Sequence, residues 1–279
     1  MEVSPSGYYA WRKRQTIAPC VRRKTHAQLV RNCYFENRRR YGARRIKASL
    51  NKEGVTIGKY RVRRLMREQG LKAIQPKRFV PKTTDSKGVK AAPNLLQGIK
   101  TEDCAKAKII IGDITYIPLQ NGSWCYLAVW QDKVTRRIIG WSLAQTMTAG
   151  LVISALEKAI GKGLVLAGAI IHSDRGSQYA SNGFRELLRQ SGFRQSMSGK
   201  GNCYDNAQAE SFFSRFKTEL IEDGAFEHIE QARTEIFSYI EGYYNRVRLH
   251  SSLGYKSPME FEAELKIKNG GKIESFLSI

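Results

Sequence analysis

The stretch IIHSDRGSQYASNGF, residues 170–184, opens on apolar positions and runs directly into an acid, Asp174, followed by Arg175 and Gly176. The apolar residues read as a buried strand. Open α/β sheets place their chemistry in the crevice beyond the strand ends, so a strand that stops on a carboxylate is a candidate site. The same letters, DRGS, also spell an ordinary turn. Which reading holds depends on whether other carboxylates reach the same point.

Working outward, residues 107–119 (AKIIIGDITYIPL), 124–135 (WCYLAVWQDKVT) and 136–146 (RRIIGWSLAQT) are three β-rich runs. The first two are joined through Asn121 and Gly122, a dipeptide that hairpins favour. Helices are expected over 149–160 and around 184–189, strands over 169–173 and 193–197, and a long helix from Asn206 to about Ile221. The order βββαβαβα predicts an α/β domain. It puts Asp113 inside the first strand, Asp174 at the end of the fourth and Glu210 one turn into the long helix. If the first and fourth strands are neighbours, Asp113 and Asp174 project close together, and a helix crossing the sheet brings Glu210 to them. Such a cluster binds hard divalent cations, and two Mg²⁺ about 3.5–4 Å apart stabilise both oxygens of a phosphoryl transfer. Each acid also has a plainer reading: a solvent-facing edge acid, a turn former, a helix-surface glutamate. An unpaired charge within IIIGDITYI is costly, however, and a metal would be a physical reason for Asp113 to stand there.

The charge is unevenly placed. Of a formal +22, residues 1–100 hold 26 Lys and Arg against 5 Asp and Glu, and the remaining 179 residues are close to balance. A basic front of this kind binds polyanions by releasing condensed counterions, with nucleic acid the default partner and a solubilising basic arm the alternative. Within it, RRYGARRIKASLNKEGVTIGKYRVRRLMREQGLKA contains two amphipathic segments, Ile46 and Leu50 on one, Val62, Leu65 and Met66 on the next, separated by Gly54 to Gly58. That is the outline of a helix-turn-helix whose second helix carries Lys59, Arg61, Arg63, Arg64 and Arg67. A plain helical hairpin with a solvated basic face gives the same pattern. Five scattered cysteines argue against a zinc site or a disulfide framework. No apolar run of about 20 residues and no signal-peptide core is present, so no membrane partner is expected and the cytoplasm is the expected compartment.

These residues resemble the insertion-sequence-three family of transposases, the OrfB-type component within the wider DDE transposase and retroviral integrase group. DITYI around Asp113, HSDRGSQYAS around Asp174 and SMSGKGNCYDNAQAESFFSRFKTEL around Glu210 look like the family's three catalytic blocks. The 35 residues between Asp174 and Glu210 match its D,D-35-E spacing, and Lys217 stands seven positions after the glutamate, where the family has a basic residue. SPSGYYAW near the N-terminus, the helix-turn-helix region and YYNRVRLHSSLGYKSPMEF over 243–261 extend the likeness along nearly the whole chain. One departure is AKIIIGD before Asp113, where the family commonly has Trp and Thr.

The resemblance implies an RNase H-like core with a five-stranded mixed sheet and flanking helices over residues 104–222. Before it come a basic helix-turn-helix region over 1–80 and a linker over 81–103, and after it a helical extension over 223–279. It implies that Asp113, Asp174 and Glu210 are both the catalytic residues and the ligands of two Mg²⁺, with Mn²⁺ as substitute. Cleavage at the element's 3′ ends and strand transfer into target DNA would follow. Lys217 would meet DNA phosphate. It further implies a homo-oligomer on paired DNA ends and fusion to an upstream OrfA segment by frameshifting. His172, two positions before Asp174, is expected to point towards the metal site, with packing an equal alternative, and Asn206 shares the helix face of Glu210. A metal nuclease without strand transfer and a non-catalytic DNA-binding protein are the rival functions.

Overall fold

The computed structural model describes residues 4–16, 21–75, 91–97, 99, 108–199, 207–222 and 224–268. Asn206 falls outside them. The chain forms two compact units, Met1–Gln75 and Pro76–Ile279.

The first unit is helical: α1 (Pro5–Thr16), α2 (Val21–Glu36), α3 (Ala43–Lys52) and α4 (Lys59–Glu68). The two amphipathic segments are α3 and α4. They bury the residues their periodicity selects, Ile46 and Leu50 on one and Val62, Leu65 and Met66 on the other, and both pack on α2. Between them Gly54 takes φ +83°, a conformation glycine adopts without a Cβ penalty. Tyr34 Oη donates to Lys72 O at 2.6 Å and Gln69 Nε2 to Ala27 O at 3.1 Å, tying the segment after α4 and the end of α4 back to α2.

The second unit is built on five strands, β1 (Ile109–Pro118), β2 (Trp124–Asp132), β3 (Ile138–Ala144), β4 (Ile170–Ser173) and β5 (Arg194–Met197), in the order β3-β2-β1-β4-β5. The first three are antiparallel, and β4 and β5 run parallel to β1. Apolar residues on both faces of the sheet demand cover on both sides. One face packs Ile110, Trp130, Ile139 and Ile171 against α5 (Ala149–Gly161), α6 (Ser177–Ala180) and α7 (Asn182–Gln190). The other packs Ile117, Leu127, Val129 and Leu143 against α8 (Ala207–Phe216) and α9 (Ile229–Phe237). A five-stranded mixed sheet with helices on both faces is the α/β architecture that the order of elements predicts. No helix among the described residues is long and apolar enough to cross a membrane.

Two features differ from the sequence reading. The long helix expected to run to Ile221 is α-helical only to Phe216 and continues as a π turn over Lys217–Ile221. The wider turn accompanies burial of Glu219, whose carboxylate meets Arg248 from a distant part of the chain. The stretch read as a linker over 81–103 is described at 91–97 and 99, and there it lies on the core. Leu95, Leu96 and Ile99 pack beside Ile109, Ile111 and Ile170, and Leu95 N donates to Ser196 Oγ at 2.9 Å.

Candidate active site

Sheet register brings the first two acids together. Ile111 pairs with His172 in the parallel β1–β4 ladder, so Asp113 and Asp174 stand two residues further along their strands at the same level. Since β4 ends at Ser173, Asp113 lies where its parallel neighbour has stopped, and the two carboxylates share the crevice at the end of β4. Asp113 Oδ1 accepts from Ile114 N at 2.9 Å, and Asp174 Oδ1 accepts from Gly176 N at 2.9 Å, an Asx turn that fixes its carboxylate. A Cβ on Gly176 would lie 2.9 Å from Gln178 Oε1 and 3.0 Å from Asp174 Oδ1, so a side chain there would press on both.

Both carboxyls are half-buried, and both hold protons more firmly than in water. Burial raises Asp113 first and the charge of Asp174 second, to about 8, while the Ile114 N–H opposes them; Glu210 adds a further push upward and Lys217 a weaker pull down. Asp174 is raised by burial against the Gly176 hydrogen bond. Crowded acids short of countercharge in a partly desolvated crevice are a donor set suited to an oxygen-seeking dication. Glu210 is exposed on the first turn of α8. Among the described residues no three His, Cys, Asp or Glu side chains are drawn closely enough together to hold an ion as they stand. The chemistry of the Asp113–Asp174 pair thus fits a divalent cation, and the charge of Glu210 is felt at Asp113. Lys217, half-buried at the start of the π turn, has its ammonium pKa lowered by burial, and Asp113 counters that shift.

His172 is fully buried on the face that Ile111 shares. Its Nδ1 lies 2.8 Å from Ser196 Oγ and its Nε2 3.2 Å from Ser198 Oγ. Arg175 Nε donates to Ser198 O at 2.8 Å, and Ser198 N to Ser173 O at 2.9 Å. The ring and these bonds clasp the Asp174 turn to the end of β5. Sequence reasoning singled out His172 but missed Ser196, Ser198 and Arg175, because their roles depend on β5 lying beside β4. It also passed over Tyr179, five residues after Asp174, which is 2% exposed; an aromatic inside a polar run, SDRGSQYAS, was the available signal. In the first unit, Lys59, Arg61, Arg63, Arg64 and Arg67 are all exposed on α4, opposite its buried face, and Arg64 pairs with Glu68 at 2.9 Å.

Comparison with known proteins gives matches along most of the chain. Residues 22–79 match the model of an HTH-like domain, and residues 105–203 and 191–258 match two integrase core domain models. The transposase for insertion sequence element IS904 of Lactococcus lactis is 43% identical over 243 residues, 87% of this chain and 95% of that protein. Transposase InsF for insertion sequence IS3A of Escherichia coli is 37% identical over 269 residues, 94% of this chain and 91% of that protein. Among solved structures, the HTLV-2 integrase catalytic core in complex with magnesium aligns with a TM-score of 0.42 at 17% identity, covering 56% of this chain and 95% of that one.

Proposed function

This chain belongs to the insertion-sequence-three (IS3) family of transposases, DNA-binding polynucleotidyl transferases whose integrase cores use divalent metals, and from that premise we propose that it cleaves the 3′ ends of an insertion sequence and transfers them to target DNA at Asp113, Asp174 and Glu210. The observation that carries this reading is the pair of half-buried acids at one level of adjacent strands, with the Asp113 carboxyl pushed up to about 8 by burial and by Asp174.

Asp113 and Asp174 would hold a first ion between them, and Glu210 would complete the set from α8. Two Mg²⁺, or Mn²⁺ in their place, would supply charge neutralisation at the scissile phosphodiester and activation of water and then of the freed 3′-hydroxyl. The Gly176 N–H and the His172–Ser198 clasp keep Asp174 facing the crevice, so its orientation is set before DNA arrives. Lys217 would face a phosphate of the bound strand. Residues Lys59, Arg61, Arg63, Arg64 and Arg67 would contact DNA from α4. The same family reading extends to a multimer on paired ends, an upstream OrfA fusion and work on bacterial DNA in the cytoplasm.

The test is a Mg²⁺-dependent cleavage and strand-transfer assay on labelled DNA carrying the flanking inverted repeats, with the upstream frame supplied. Wild type is expected to give joined products, and Asp174→Asn and Glu210→Gln to bind the same DNA without reacting. Cleavage without joining would replace the transposase mechanism by simple hydrolysis. Joined products from Glu210→Gln at the wild-type rate would remove Glu210 from the site.

A further inference from the structure

Glu210 stands on the first turn of α8, exposed, and that is a weak position from which to hold an ion. The first four N–H groups of an α-helix have no acceptor within it, and helix ends open before the rest of a fold does. Metal ligands need placement to within about 0.5 Å. An acid on such a turn meets that requirement only if the turn itself is fastened.

Two contacts fasten it to the sheet. Ala209, fully buried, packs with Ile109, Ile111 and Ile170, and Val134 joins the same cluster from the turn after β2. By strand alternation Ile109 and Ile111 share their face of β1 with Asp113, so α8 starts over the face that carries the first acid. One residue before Ala209, Gln208 Nε2 donates to Lys133 O at 3.0 Å. Lys133 is itself bound to β1, its N–H donating to Ile109 O at 3.0 Å. Asp132 stiffens the same turn, its Oδ1 accepting from Val134 N at 3.0 Å, Thr135 N at 2.6 Å and Thr135 Oγ1 at 2.9 Å. The main chain of Lys133 therefore bonds β1 through its N–H and the first turn of α8 through its carbonyl. Packing of the Ala209 methyl sets how near the helix lies but is not directional, whereas the Gln208 amide bond is directional and fixes the rotation of the turn as well.

We propose that Gln208 is a positioning residue for Glu210: by clamping the first turn of α8 to the turn between β2 and β3, its amide holds Glu210 in the place from which it ligates a divalent cation beside Asp113 and Asp174. This rests on the reading of those three acids as the cation site. Glu210 lies two residues beyond the clamp, so a turn released at Gln208 carries the carboxylate with it. Without the clamp the cation itself has to order the turn, and its affinity falls by that cost.

The experiment uses the full chain as wild type, Gln208→Met, Glu210→Gln and the double variant, in calorimetric titration with Mg²⁺ alone, in thermal melts without cation and in strand transfer. Methionine keeps the length and packing of glutamine and removes the donor. Gln208→Met is expected to bind Mg²⁺ about 10-fold more weakly, the weight of one hydrogen bond, while melting near wild type without cation. Its strand transfer should need correspondingly more Mg²⁺, with the KM for DNA unchanged. In the double variant the Gln208→Met change should cost nothing further, because Glu210→Gln has already removed the ligand it positions. Equal losses from Gln208→Met with and without Glu210 would overturn the proposal, as would a lowered cation-free melting temperature with wild-type Mg²⁺ affinity, which marks a merely structural tie. Glu210→Gln tests the premise separately: wild-type Mg²⁺ affinity in that variant would remove Glu210 from the site, and the proposal with it.

Discussion

A Cβ on Gly112 would lie 2.2 Å from Cζ3 of Trp130, far inside van der Waals contact, so the residue before Asp113 must be glycine unless the indole moves. The indole is held: Nε1 donates to Val152 O at 3.1 Å, and the ring stacks on Phe184 with an interplanar angle of 4°. Gly112→Ala is therefore expected to destabilise the core by about 1–3 kcal/mol, the usual range for overpacking. Urea denaturation measures it, and Trp130→Leu in the same chain should relieve part of the loss in a double-mutant cycle. An unchanged midpoint for Gly112→Ala would mean that the ring yields freely. The sequence marked Gly112 only as a departure from its family, and the reason lies in register. A two-residue turn at Asn121 and Gly122 would set Gln131 opposite Gly112. Instead Leu119 N donates to Ser123 O around a three-residue loop, with Gly122 at φ +80°, and Trp130 comes opposite. Asp113 and Asp174 were legible because alternation and a strand end place them without knowledge of the hairpin register.

At the scale of elements, the helix that carries Glu210 is anchored at its far end. Arg248 Nη2 donates to Glu219 Oε1 at 2.7 Å and Nε to Oε2 at 2.9 Å, and Tyr239 Oη donates to Glu219 Oε2 at 2.9 Å. Burial works against the Arg248 charge, but the bonds and charge of Glu219 overcome it and hold the guanidinium above its ordinary pKa. Both side chains of the pair are under 5% exposed, so removing one partner strands the other charge away from water. Arg248→Met is expected to cost about 3–5 kcal/mol, and the double change Glu219→Leu with Arg248→Met to recover much of that. Additive losses in the cycle would show that the two side chains do not act as a pair. None of this could be read from the helix alone. A π turn raises no signal in apolar spacing, and Glu219 looks like one more surface acid until the segment containing Arg248 folds against it.

At the scale of the whole molecule, the charge asymmetry and the division into two units make chemistry and DNA affinity separable. Residues 1–75 hold 20 Lys and Arg against 4 Asp and Glu, while the acids of the candidate site all lie in the second unit. Phosphate contacts are read through salt: the logarithm of the binding constant falls with that of salt concentration by about 0.9 per neutralised phosphate of duplex DNA. Arg61→Gln together with Arg67→Gln, both exposed on α4, is expected to flatten this slope by up to about 2 if each side chain reaches a phosphate. The same double variant should keep the wild-type Mg²⁺ affinity, because α4 contributes no ligand. Asp174→Asn should do the reverse, keeping the slope and losing the ion. A slope untouched by the α4 changes would move the DNA contact to another basic face of the first unit. A slope altered by Asp174→Asn would mean that the acids act on binding through charge repulsion of phosphate as well as on the chemistry, and the two properties would then have to be assigned jointly to both units.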